Sequence, residues 1–162
     1  MRILARENNK RSDDHIFVMP SYAAVHWQRE QFQSWLFRKV NLLKYRWLFL
    51  PVNVNQSHWV LVAADVTKGE VSILDSLPRP DTSKFILEKF MRYMEYRTNE
   101  TGDLQGKEWK VGHIQSARQS DGHSCCSFVM LNALSLVQGF HTIKMGKYGD
   151  IMRNHAWNTL IT

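Results

Sequence analysis

Apolar residues crowd and partly alternate from Leu48 to Val54, a pattern that predicts a strand. After a short polar break, His58-Trp59 opens the run W-V-L-V-A-A-D-V. That run is of strand length and nearly continuous, which suits a strand buried on both faces. Lys68-Gly69 marks a turn, and V-S-I-L-D-S returns beside the first run as the second arm of a hairpin, ended by Pro78, Arg79 and Pro80. From Asp81 to Arg97 the period becomes helical, with Phe85, Phe90, Met91 and Met94 on or near one face and Asp81 or Thr82 as the cap. Thr98 to Gly106 reads as a loop, and Trp109 to Ile114 as a short strand. A long apolar run then opens after Ser124 and meets no Pro or Gly until Gly139, which predicts a buried helix capped by that glycine. Earlier, Trp27, Phe32, Trp35, Leu36 and Val40 recur among polar residues, so Ile16 to Lys44 is expected to be mostly helical. Met145 to Asp150 reads as a Gly-containing loop and Ile151 to Leu160 as a last helix. The polar residues 1–15 are expected to be a loose segment, leaving 16–162 as a single α+β domain.

Composition narrows the class. The chain has 162 residues, 44% apolar and 22% charged, an ordinary globular balance for one domain. It contains no run of about 18 apolar residues and no signal-like apolar core near the N-terminus, so no membrane association is expected. Two adjacent cysteines cannot build a disulfide framework, which points to a reducing nuclear or cytoplasmic setting. The net charge of +6 is spread along the chain without a dense basic block or zinc-finger spacing. Nucleic acid is therefore not the expected partner; a solvated basic face or an acidic protein partner fits better.

The chemistry gathers around Q-S-D-G-H-S-C-C-S-F-V, residues 119–129. With Ser124 as N-cap, Cys125 falls in the first helical turn, where unpaired N–H groups and the helix dipole favour a thiolate. Cysteines on apolar helices are usually buried small hydrophobes, so the argument needs a base and an orienting acceptor. The hairpin supplies both. A turn at Lys68-Gly69 brings the start of one strand level with the end of the other, placing His58 beside Asp75.

These segments together resemble the Ulp/SENP family of cysteine proteases, which cleave SUMO and related ubiquitin-like modifiers. The resemblance rests on S-H-W-V-L-V-A-A-D, on V-S-I-L-D-S-L, and on the glutamine spaced ahead of the cysteine, a spacing that selects Cys125 over Cys126. W-L-F-R-K-V-N-L-L-K-Y-R-W-L-F-L-P-V-N and the tail M-R-N-H-A-W-N-T-L-I are similar to further family segments. It implies a papain-like (adenain/Ulp-type) fold, a central mixed β-sheet flanked by helices, with the catalytic helix starting at Cys125. Cys125 is then the implied nucleophile, His58 the general base and acid, Asp75 its orienting carboxylate, and Gln119 an oxyanion donor. Trp59 is implied to lie over the modifier's glycine tail. The implied partner is SUMO or another ubiquitin-like protein and its conjugates, and no metal or cofactor is implied.

Three departures qualify this picture. The family's aspartate before the nucleophile is Ser124, and its following glycine is Cys126, whose side chain stands to crowd the oxyanion site. Nothing before Ile16 matches the family's helical W-L-x-D-x-x-I segment. Two readings therefore stand: a thiol protease cutting peptide or isopeptide bonds after a modifier's C-terminal glycine, or a non-catalytic module that binds such a modifier.

Overall fold

The computed structural model describes residues 1–102, 104 and 106–154. Its centre is a five-stranded mixed sheet in the order β1-β2-β3-β4-β5: β1 Ile16–Val18, β2 Trp47–Val54, β3 His58–Asp65, β4 Glu70–Leu74 and β5 Lys110–Val111. β2, β3 and β4 form an antiparallel meander, while the short edge strands β1 and β5 run parallel to β2 and β4. The helices are α1 Arg2–Arg11, α2 Tyr22–Gln28, α3 Pro80–Thr101 and α4 Cys125–Val137, with short 3-10 segments at Leu42–Lys44 and Thr142–Tyr148.

The near-continuous apolar character of β2 and β3 is explained by two buried faces. Leu48, Leu50, Val52, Val60, Val62 and Ala64 face a core completed by Trp27 of α2 and by Ile86, Phe90, Tyr93 and Met94 of α3. The alternating residues Trp47, Phe49, Leu61 and Ala63 face a second core with Val129 and Ala133 of α4 and Ala5 of α1. Side chains on a strand point alternately to opposite faces, so each strand serves both layers. The expected α+β architecture of a mixed sheet flanked by helices is the observed one.

The β3–β4 turn is held from two directions. Asp65 Oδ1 accepts from the Lys68 backbone N–H at 3.1 Å, and the carboxylate takes a two-pronged contact from Arg46 at 3.1 and 3.0 Å. Gly69 adopts a left-handed φ of 66° with the Glu108 carbonyl packed where a Cβ would stand. At the other end of the cysteine helix, Gly139 has φ 71°, with Gly139 N–H bonding Leu136 O and Phe140 N–H bonding Ser135 O. This is a Schellman closure, as the position of that glycine predicts.

Other expectations are corrected. Residues 2–11 form a helix instead of a loose segment: Ala5 is buried, and the Asn9 amide bonds both the N–H and the C=O of Ile16, completing the free edge of β1. Ile16 to Lys44 is not mostly helical. It gives a strand, the two-turn α2, and an irregular run over 29–41 tied down by α3, where Arg97 donates to the carbonyls of Phe37 and Val40 at 3.0 and 2.5 Å. Its aromatics pack on α3, as in the Trp27–Tyr93 stack with ring centroids 4.0 Å apart, so their spacing reports tertiary contacts and not a helical face. α3 starts after Arg79 with Pro80 at its first position, a place proline favours, and extends to Thr101 before Gly102 ends it. The 3-10 turns of Thr142–Tyr148 replace the expected loop, and a helical turn covers 149–154. The remainder of the expected last helix lies outside the described residues.

Replacing Asp65 removes both anchors of the β3–β4 turn and leaves Arg46 without its main counter-charge. Asp65→Ala is expected to lower stability by about 2–3 kcal/mol, the scale of a broken, partly buried charge pair with hydrogen bonds. Urea unfolding checks this, and a loss below about 0.5 kcal/mol would show that the turn holds without it.

Candidate active site

His58 is the first residue of β3, and Asp75 follows the last residue of β4. The pairing of Leu61 with Leu74 carries the two chains alongside each other toward this end of the sheet. His58 Nε2 and Asp75 Oδ1 lie 2.6 Å apart, both side chains almost wholly buried. Asp75 Oδ1 also accepts the Leu77 backbone N–H at 2.8 Å, which fixes the carboxylate against the turn leaving β4. An ionised carboxylate can only accept, so Nε2 carries the proton and the other ring nitrogen, Nδ1, is left with its lone pair. The contact therefore sets one tautomer of the ring.

Cys125 opens α4, which packs directly on β3, and its side chain is buried. Ser124 stands at the N-cap position but does not use its hydroxyl as a cap. That hydroxyl donates to Asp121 Oδ2 at 2.5 Å, while Asp121 Oδ1 accepts the backbone N–H groups of His123 and Ser124 at 2.8 and 2.7 Å. Arg153 reaches both Ser124 Oγ and Asp121 Oδ2. The Ser124 hydroxyl bond, followed by the His123 N–H, holds the Asp121 carboxyl below its usual value, at about 2. The loop entering the helix is thus closed on a carboxylate three residues before the one position where the family pattern carries it.

Gln119 is buried, and its backbone N–H bonds the Ser76 carbonyl at 3.1 Å. Its side-chain Nε2 donates to the Asp121 carbonyl at 2.7 Å. Gly112 lets the strand-like segment leading to it lie close along β4, with Ser72 Oγ packed where a Cβ would project. Trp59, the residue after the histidine, is half-buried and packs against the α4-side core. Cys126 is exposed as a residue, but its sulfur is partly desolvated; that, then the neighbouring Cys125, pushes its thiol above the ordinary value, so it holds its proton at neutral pH. Sequence reasoning singled out His58, Asp75, Cys125, Gln119 and Trp59. It missed Ser76, Asp121 and Arg153; the S-D-G-H-S run was the available signal for Asp121, since aspartate in such turns bonds the backbone two and three residues on. Among the described residues no group of three His, Cys, Asp or Glu side chains converges as metal ligands, and no helix is long and apolar enough to cross a membrane.

A buried histidine–carboxylate pair at one end of a mixed sheet, and a cysteine-opened helix packed on the histidine strand, fit the class of papain-like thiol-protease folds. Residues 7–158 match the Ulp1 protease family, C-terminal catalytic domain, and the chain belongs to that family. Solved structures of similar fold include the SUMO protease Ulp1 with its catalytic cysteine oxidised to a sulfenic acid (TM-score 0.70, 22% identity, 95% of this chain and 75% of that one). The Ulp1 protease domain in complex with Smt3, the yeast ortholog of SUMO, is alike at TM-score 0.69 and 21% identity, over 95% of this chain and 74% of that one. The Xanthomonas campestris effector XopD bound to ubiquitin follows at TM-score 0.61 and 18% identity, over 90% and 75%. No curated protein is similar enough in sequence to count as a match.

Because the folded Asp121 carboxyl titrates below its ordinary value of 3.8, its anionic form stabilises the loop fully above about pH 4. That contribution fades as the pH falls toward about 2. Asp121→Asn is expected to be less stable than wild type at pH 7, with the gap shrinking between pH 4 and 2. Unfolding curves across that range test the point, and a gap that stays constant with pH would assign the loss to something other than the charge.

Proposed function

We propose that this domain is a thiol protease that hydrolyses peptide or isopeptide bonds after the C-terminal glycine of SUMO or another ubiquitin-like modifier. The observation that carries the reading is the buried 2.6 Å contact of His58 with Asp75 on the strand against which the Cys125 helix packs. Membership of the Ulp1 family and the SUMO- and ubiquitin-bound relatives support the substrate class.

In this reading the Cys125 thiol gives its proton to His58 Nδ1, and the sulfur attacks the carbonyl carbon of the modifier's terminal glycine. Asp75 stabilises the imidazolium formed and keeps the ring from turning. The carbonyl electron pair moves onto oxygen, where a Gln119 side-chain N–H and the Cys125 backbone N–H receive it; one such donor is typically worth about 3–4 kcal/mol of barrier. His58 returns the proton to the leaving amine as the carbon–nitrogen bond breaks. Water activated by His58 then hydrolyses the thioester and frees Cys125. Trp59, beside the base, lies over the glycine tail and admits residues without side chains. Cys126 takes no part in this scheme; its thiol is pushed above the ordinary value, largely by burial of its sulfur.

Modifiers carrying a C-terminal thiol-reactive electrophile test this directly by intact mass. Wild type and Cys126→Ala are expected to form a one-to-one adduct with at least one modifier, Cys125→Ala none, and His58→Ala an adduct slowed by about 100-fold or more. Modifier binding without any adduct, together with a Cys125 inert to a small alkylating agent, would replace the protease reading with that of a binding module.

A further inference from the structure

The residue after Asp75 makes a contact that the catalytic scheme does not use. Ser76 is 2% exposed, and its Oγ lies 2.5 Å from Gln119 Oε1, a side chain 43 positions away in sequence. The same two residues are joined a second time through Gln119 N–H and the Ser76 carbonyl at 3.1 Å. Donor and acceptor inventory then fixes the orientation of the amide. The Asp121 carbonyl can only accept, so the atom 2.7 Å from it is the amide nitrogen. The amide oxygen must therefore face Ser76, and because that oxygen cannot donate, the Ser76 hydroxyl does. One N–H of the amide is consumed by Asp121, and the second is held in a single direction.

We propose that Ser76 is a positioning residue for the Gln119 amide. Its hydroxyl and carbonyl clamp Gln119 so that the remaining side-chain N–H is aimed at the developing oxyanion before substrate arrives. The inference rests on the protease reading given above for its catalytic consequence, though the clamp itself is a property of the free protein. Preorganised donors matter because orientation that is set in advance costs nothing at the transition state. Asp75 and Ser76 then divide the work between neighbouring residues: one orients the base, the other the oxyanion donor. A change in the course of the chain leaving β4 would disturb both.

Steady-state turnover of a SUMO C-terminal fluorogenic substrate by wild type, Ser76→Ala, Ser76→Cys, Gln119→Ala and the Ser76→Ala/Gln119→Ala double variant tests the clamp. Ser76→Ala is expected to lower kcat about 5- to 20-fold with KM within twofold, the scale of one lost hydrogen bond acting only in the transition state. Ser76→Cys, nearly the same size but a weak donor, should fall similarly. In the Gln119→Ala background the loss should vanish, because there is no amide left to aim. A kcat unchanged in Ser76→Ala, or a loss that persists in full without Gln119, overturns the proposal. Absence of wild-type turnover on every modifier tried would instead strike the protease reading. The clamp is then decided by the Gln119 side-chain amide signals in glutamine-labelled nitrogen-15 spectra. Two resolved, slowly exchanging protons in wild type that exchange faster in Ser76→Ala support it, and equal exchange in the two proteins refutes it.

Discussion

The register of β3 on β4 is the constraint on which the site depends. Asp65 pairs with Glu70 and Leu61 with Leu74, and from that alignment the chains run on to His58 and Asp75. A slip of one residue would send every side chain of one strand to the opposite face. It would drive Leu61 and Ala63 into the opposite core, separate the histidine from its carboxylate, and carry Ser76 away from Gln119. The register is held at the turn by Asp65 and by the left-handed Gly69, and along the strands by two cores that demand opposite alternations. Fold stability and the geometry of the candidate base are thus the same set of contacts.

That is also why so much was readable from sequence. A strand buried on both faces leaves an apolar run that few other structures produce, and the Lys68-Gly69 turn sets how its return must align. From those two facts His58 and Asp75 fall near each other at one end of the hairpin: the register sets Asp75 opposite Val60, two positions from His58 on the same face, within side-chain reach. The helix after Ser124 was legible for a related reason, since fourteen residues without a breaker, 125–138, lead to a glycine in the required left-handed position. What sequence could not give were contacts whose partners are far apart in the chain and polar. α1 is polar along most of its length and docks through Ala5 and through an asparagine that imitates a strand edge. In the irregular residues 29–41, Phe32 and Phe37 look helical in spacing but pack on Tyr93 and Tyr96 of α3, while Trp35 stands exposed. Ser76 looked like an ordinary residue after a strand, and its role rests on a glutamine that the chain brings back much later.

The altered residues around the cysteine acquire a physical meaning in this setting. An aspartate directly before the nucleophile can tie the helix entrance to the surrounding loops through one charged group. With Ser124 there, the charge is supplied by Asp121 and transmitted through the serine hydroxyl, with Arg153 bonded to the same oxygens. The loop thereby retains an anionic anchor at the start of α4, where the helix dipole favours one. Asp121 has a second use, because its carbonyl takes one proton of the Gln119 amide. A single residue couples the helix entrance to Gln119, so a serine at 124 does not disconnect them.

Cys126 completes this argument about division of labour. Two adjacent thiols would be a liability if they were equivalent, since either could be alkylated and each would perturb the other. Their surroundings make them different. Cys125 is buried on the face that α4 presents to β3, toward the histidine strand, while Cys126 turns outward on the next helical position, about 100° around the axis. Partial burial of the Cys126 sulfur and the nearby Cys125 together favour its neutral form. The second thiol therefore behaves at neutral pH as a small, protonated, polarizable side chain.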